Sequence, residues 1–211
     1  MSRVWIRMVD LKVDFCSYEA AKHAVLHWHY SRSMPAGKLV KIGAWENGKF
    51  IGCVLFGRGA NNHIGNPYNL KQNEVCELVR IALKNHQTNV TKIVSKSLKL
   101  LKKTNPYLKL VVSYADKDQN HLGKIYQAGN WIYDGLKNQN TAGAFIIKNK
   151  KVHPRSVASM GWVQSLKWIQ ENVDPNARTH ITKGKFKYLY PLSKKTREQI
   201  RPLKKPYPRR L

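Results

Sequence analysis

Apolar and polar positions alternate from Leu39 to Trp45 and again from Lys49 to Gly57, with Glu46-Asn47-Gly48 between them. Period-two alternation on both sides of an Asn-Gly turn predicts a β-hairpin. Upstream, Asp14 to His29 reads as a helix, with capping groups at Asp14 and Ser17 and with Ala20, Ala24 and His27 at helical spacing. Met34-Pro35-Ala36-Gly37 is a turn. Downstream, Gly57 to Pro67 is too rich in Gly, Asn and Pro for either regular state, and a loop of that length in a small domain is usually a working part. Val75 to Leu83 then predicts a strand. Thr91 to Lys103 predicts an amphipathic helix whose face is Ile93, Val94, Leu98, Leu100 and Leu101. Leu108 to Ala115 is an almost unbroken apolar run of strand length, the pattern of a sheet centre. His121 to Gly129 predicts a short helix, Trp131 to Gly135 and Ala142 to Lys148 predict strands, and Ser159 to Asn172 predicts a helix with Trp162, Leu166 and Ile169 on one face. After the hairpin the order is strand, helix, strand, helix, strand, which predicts an α/β fold with a mixed central sheet flanked by helices.

Charge changes this picture. The 211 residues carry 38 Lys and Arg against 12 Asp and Glu, a formal +26. Self-repulsion of that size opposes compaction and calls for a polyanionic partner, nucleic acid first, because each neutralised phosphate releases a counterion. A membrane surface would also attract the charge, but the apolar runs are far shorter than a spanning helix, and the first ten residues lack the apolar core of a secretory signal. Cys16, Cys53 and Cys76 fall in no metal-type spacing and read as small core residues in a reducing, cytoplasmic setting. From Lys151 to Leu211 there are 15 Lys and Arg against 3 acidic residues. The expected organisation is a catalytic core over residues 1–150 and a basic C-terminal extension over 151–211 packed on it.

Candidate chemistry gathers where apolar strands turn polar. In open α/β sheets ligands bind beyond the carboxyl ends of strands. Ser113 and Asp116 stand at such an end, and Glu77 and Arg80 lie on a neighbouring strand, on opposite faces if the strand is regular. Arg80 suits a phosphate or carboxyl group. Asp116 suits a base-orienting role or a cap on the following helix. His29 and Tyr30 follow a helix; an imidazole exchanges a proton near neutral pH, and a phenol donates one or ligates iron. Arg58, Asn61, Asn62 and His63 in the long loop are candidates for substrate capture, since an Asn amide pairs bidentately with adenine. Lys183, Lys185 and Lys187 alternate with Phe186 and Tyr188, so a strand here would present one cationic face to a phosphate backbone; Lys194, Lys195 and Arg197 extend the same basic surface. Pro202 to Leu211 reads as an extended basic arm.

Two resemblances follow from these segments. Gly123-Lys-Ile-Tyr126-Gln-Ala-Gly129-Asn-Trp131 resembles the helix-then-strand element of GNAT-type acyltransferases, and the strand order agrees. The departure is Leu83 to Thr91, which lacks the Gly-rich pyrophosphate loop of those enzymes. More of the chain resembles the Mom family of phage DNA modification proteins, through His29-Tyr-Ser31, Gly57-Arg-Gly-Ala-Asn-Asn-His63, Glu77-Leu-Val-Arg80, Ser113-Tyr-Ala-Asp116 and Gln127-Ala-Gly-Asn-Trp131. This resemblance implies transfer of a carbamoylmethyl (acetamido-type) group to the exocyclic amine of adenine in double-stranded DNA, which protects phage DNA from restriction in the bacterial host. It implies an active centre at His29 and Tyr30, to be completed by Asp116, Ser113 and Tyr126, the last at the position where GNAT enzymes often place a leaving-group acid. An amine paired inside a duplex is reached by base flipping. The donor, small or carrier-bound, stays open between acetyl-coenzyme A, an aminoacyl carrier and an iron-assisted route. An ordinary acyltransferase acting on a protein or small amine and a non-catalytic DNA-binding protein are the competing readings.

Overall fold

The computed structural model describes residues 9–59 and 61–209. The described chain forms β1 (Leu11–Phe15), α1 (Tyr18–Trp28), β2 (Leu39–Glu46), β3 (Lys49–Gly57), β4 (Val75–Leu83), α2 (Val90–Thr104), β5 (Leu110–Asp116), α3 (Lys124–Ala128), β6 (Ile132–Lys137), β7 (Thr141–Ile147), β8 (Lys150–Val152), α4 (Pro154–Ser159), α5 (Leu166–Asn172), β9 (Arg178–Thr182), β10 (Lys185–Pro191) and α6 (Lys194–Ile200). It is a mixed α/β fold with a seven-stranded sheet in the order β1-β2-β3-β4-β5-β10-β6. The first four strands pair antiparallel, and β4 pairs parallel with β5.

Two compact units partition the chain, and neither ends at residue 150. Among the described residues one holds 9–59, 61–114, Gly123–Asp134 and Tyr188–Tyr207; the other holds Ala115–Leu122, Gly135–Lys187, Pro208 and Arg209. Residues of the expected C-terminal extension thus occur in both units, and β10 is an internal strand of the large sheet. Arg210 and Leu211 of the expected arm, and Ala60 of the long loop, lie outside the described residues. The described part of the arm is docked: Lys205 N–H donates to Tyr133 O, and the Tyr207 hydroxyl donates to Trp131 O at 2.7 Å.

The expected helix from Asp14 is shorter than its pattern suggested. Leu11 to Phe15 pairs with β2, and Ser17 Oγ accepts the Ala20 N–H to start α1 three residues later. The expected helix from Ser159 to Asn172 is two helices, because Gly161 takes a left-handed conformation (φ +75°) that an α-helix cannot continue through. The short helix after β5 begins at Lys124 because Gly123 is left-handed and lies against the Tyr188 ring, where a Cβ would stand 2.4 Å from Cε2.

In the first unit α1 packs Ala21, Ala24 and Val25 on Cys53, Leu55 and Ala82. Since side chains alternate along a strand, Phe56 and Cys76 face the other way, where Leu101 of α2 lies with them around a cavity of about 280 Å³. A second cluster on the α1 side unites Val75, Leu110, Val112, Ile132 and Leu189 with Ile64 and Tyr68 from the long loop and Ile200 of α6. The second unit has its own sheet, β8-β7-β9, and its own core of Ile147, Val157, Ile169 and Ala177, with Trp162, Leu166 and Trp168 packed against it.

Candidate active site

One irregularity in β4 organises the first unit's site. Leu55 pairs with Arg80 and Phe56 with Leu78, so Val79 is an extra residue in the ladder. A bulge shifts the alternation by one. Glu77 and Arg80, expected on opposite faces, therefore share the face of Gly57 and Leu55, which is also the α1 face. The parallel pairing of β4 with β5 ends at Leu78 and Ser113, at the bulge, although both strands continue. The sheet thus opens between its two central strands beside Glu77 and Arg80.

The opening is sealed by hydroxyls. Ser113 is fully buried, and its Oγ lies 2.9 Å from Leu78 O and 2.7 Å from the Tyr126 hydroxyl. A carbonyl only accepts, so the one serine proton goes to Leu78 O and the Tyr126 phenol donates to Ser113. Tyr126 is buried against Trp131 and Tyr188. Burial pushes its pKa up to about 12 against the lowering effect of Ser113, with Tyr30 and Glu77 adding to the rise, so the phenol keeps its proton. The same field links Tyr30 and Glu77 to Arg80: burial lowers the Arg80 pKa, and both neighbours oppose that. Arg80 Nη1 donates to Val79 O at 2.7 Å, while its buried Nε has no partner among the described residues. Burial, then Glu77 and Asp134, push Tyr114 up to about 12. Asp134 is itself buried and accepts from the Tyr68 hydroxyl at 3.2 Å. Glu77 lies directly under the long loop: a Cβ on Gly59 (φ +85°) would stand 3.2 Å from Glu77 Oε2.

His29 and Tyr30 follow α1. His29 caps the helix, its ring 4.3 Å from that of Tyr30, which is 53% exposed. Ser31 N–H donates to His29 Nδ1 at 3.1 Å, and Ser31 Oγ lies 2.8 Å from the same nitrogen. A backbone N–H cannot accept, so Nδ1 is the unprotonated nitrogen and a neutral ring carries its proton on Nε2. One imidazole and one phenol fall short of the two-histidine, one-carboxylate set that non-haem iron enzymes use; among the described residues no three His, Cys, Asp or Glu side chains converge on one point.

Asp116 belongs to the second unit, where its carboxylate caps the turn that follows by accepting the Asp118 N–H at 2.9 Å. Asp118, not singled out in the sequence, is the more heavily bonded carboxylate. It accepts from His180 Nε2 (2.8 Å), Lys151 Nζ (2.9 Å), Thr182 Oγ1 (3.1 Å) and Lys183 N (2.8 Å). The signal in the sequence was only a polar residue near a strand end; its partners come from segments far along the chain.

The loop candidates are exposed and engaged with one another. Asn61 Oδ1 accepts the His63 N–H, Asn62 Oδ1 accepts from Gln72, and His63 Nδ1 lies 3.4 Å from Asn66 Nδ2. Arg58 lines the 280 Å³ cavity rather than the Glu77 side of the sheet. Lys183, Lys185, Lys194, Lys195 and Arg197 are exposed. Lys187 is not: it is 8% exposed, so the expected cationic strand face is interrupted there. In the loop before α2, the N–H groups of Gln87 and Thr88 donate to the buried carboxylate of Glu46 at 2.9 and 2.7 Å. Those donors are occupied by an internal anion.

The Mom protein family model matches residues 10–209. The chain belongs to the Mom family. A curated Mom-family relative, the methylcarbamoylase mom of Escherichia phage Mu, is 25% identical over 130 residues, 60% of this chain and 54% of the relative, so the match spans about half of that protein. Among solved structures, an aminoglycoside acetyltransferase in complex with coenzyme A and kanamycin superimposes with a TM-score of 0.52, at 10% identity, over 91% of this chain and 99% of that one. A protein from Acinetobacter baylyi assigned as an acetyltransferase gives 0.50, at 10% identity, over 88% and 94%. This Mom-family chain thus has the acetyltransferase fold expected from its strand and helix order.

Proposed function

We propose that this chain transfers a carbamoylmethyl group to the exocyclic amine of adenine in double-stranded DNA, and so shields DNA from restriction enzymes. The observation that carries the reading is the family match over residues 10–209. The relative from phage Mu is named a methylcarbamoylase, and the +26 charge suits a polyanionic substrate. In the proposed step the amine nitrogen attacks the methylene carbon of a donor that carries a carboxamide. The N–C bond forms, the bond to the leaving group breaks with its electrons, and one amine proton is released. The adenine amine is a weak nucleophile because its lone pair is delocalised into the ring, so the proton must leave as the bond forms. Glu77, on the Arg80 face and in the same field as Tyr30, is assigned as its acceptor. His29, with its proton on Nε2, and Tyr30 are assigned as donors to the carboxamide and the leaving group. Ser113 and Tyr126 hold the opening between β4 and β5, Arg80 takes an anionic group of donor or DNA, and Asn61, Asn62 and His63 meet the base. Lys183, Lys185, Lys194, Lys195 and Arg197 are assigned to phosphates. A coenzyme A conjugate with the carboxamide-bearing methylene on its sulfur, so that the thiol leaves with the electrons of the broken C–S bond, is the donor scaffold suggested by the fold; the occupied N–H groups of Gln87 and Thr88 argue for a pyrophosphate held differently from a free Gly-rich loop, or for a donor without one.

The test is mass spectrometry of nucleosides from the DNA of cells expressing the chain. The expected product is deoxyadenosine heavier by one carbamoylmethyl group, lost in His29→Ala, Tyr30→Phe and Glu77→Gln variants that still bind duplex. Unmodified DNA together with acetylation of a small amine by the purified protein would overturn the proposal.

A further inference from the structure

The second unit carries a feature that the transfer chemistry does not use. Residues 135–187 hold ten Lys and Arg against two acidic residues. Between α4 and α5 the chain turns through Met160-Gly161-Trp162-Val163, and both Met160 and Val163 are 53% exposed. Exposed apolar side chains are common one at a time. Here two flank a single turn, and the turn is firmly built. Met160 N–H donates to Ser156 O and Val157 O, Gly161 N–H to Ala158 O, and Trp162 N–H to Val157 O, all within 3.2 Å. Trp162 packs on the unit's own core. Gly161 is left-handed with open space around it. The result is a rigid apolar tip, anchored from behind by an indole, on a strongly cationic unit.

We infer that the Met160–Val163 turn is a wedge that enters the stack of duplex DNA and helps to expose the target adenine; this rests on the proposed DNA substrate. The charge decides the occupant. Lysines and arginines draw a phosphate backbone to this unit, and an apolar tip delivered to a duplex gains by leaving water for the base stack. Unstacking a step is unfavourable, and inserted Phe, Leu, Ile, Met and Pro side chains offset it in proteins that kink DNA.

The experiment uses the full chain with a long mixed-sequence duplex and chloroacetaldehyde, which attacks adenines whose pairing edge is exposed. The wild-type protein is expected to raise adenine reactivity about tenfold over free duplex, and a Met160→Ser/Val163→Ser double variant to return it to about the free level, with duplex affinity within about threefold of wild type. A Met160→Leu/Val163→Ile variant should retain the opening, which separates an apolar wedge from a general effect of altering the turn. The wedge is overturned if wild-type protein binds the duplex without exposing adenine, if the serine variant exposes it equally, or if that variant changes only self-association of the free protein. Failure of wild-type protein to bind duplex would instead overturn the proposed function.

Discussion

Replacing Ser113 with alanine tests the hydroxyl chain at the opening of the sheet. Ser113 and Tyr126 are both buried, and the serine passes its proton to Leu78 O while receiving one from Tyr126. Ser113→Ala leaves the buried Tyr126 hydroxyl without its partner, at about 1–3 kcal/mol, and removes one bond to Leu78 O, at about 0.5–1.5 kcal/mol, so the expected loss is about 1.5–4.5 kcal/mol. Tyr126→Phe removes one donor but leaves the serine its bond to Leu78 O, and costs about 0.5–1.5 kcal/mol. In the double variant the unpaired phenol is gone and only the bond to Leu78 O is missing, for about 0.5–1.5 kcal/mol. Tyr126→Phe is therefore expected to destabilise the wild-type protein and to stabilise the Ser113→Ala protein. Urea unfolding of the four proteins, read as a double-mutant cycle, measures this reversal of sign. If Tyr126→Phe destabilises both backgrounds equally, the proton order deduced here is wrong.

Asp118 makes acid stability depend on one carboxylate. Burial raises its pKa, but hydrogen bonds from His180, the Lys183 N–H and Lys151 outweigh that and hold it well below the usual carboxylate range. A depressed carboxylate contributes stability that is full above the unfolded pKa of about 4 and is lost as pH falls toward the folded value; Asp118→Asn should flatten this acid limb in thermal melts between neutral pH and pH of about 3. Gly52→Ala places a Cβ 2.0 Å from Ala82 O at φ +134°, and the β3–β4 clash should cost on the order of 3 kcal/mol, seen as a lower Tm. Lys183→Ala and Lys185→Ala should each reduce the slope of log affinity against log salt for duplex DNA by about 0.9, measured by fluorescence anisotropy; an unchanged slope would remove that lysine from the phosphate contacts.

Much of the architecture was legible along the chain. The β2–β3 hairpin, β4 from Val75 to Leu83, α2 within one residue at each end and the apolar β5 follow from periodicity, because the energy of placing apolar side chains on one side of a strand or helix is settled among near neighbours. The residue types of the candidate site, His29, Tyr30, Ser113 and Tyr126, were visible for the same local reason: a polar group interrupts an apolar pattern at the end of an element. Four features were decided only by the tertiary structure. The bulge at Val79 moves Arg80 to the face of Glu77, and its register depends on which residue of β3 each β4 residue meets. β10 enters the sheet between β5 and β6, and Lys187 is buried there despite its place in an alternating basic run. Asp118 collects donors from Lys151, His180, Thr182 and Lys183, 33 to 65 residues away. Met160 and Val163, apolar positions inside a helix-like pattern, end exposed because Gly161 turns the chain out of the helix. Local patterning chooses the elements; the pairing of distant segments chooses which side chains of those elements meet, and in this protein the site is made of such meetings.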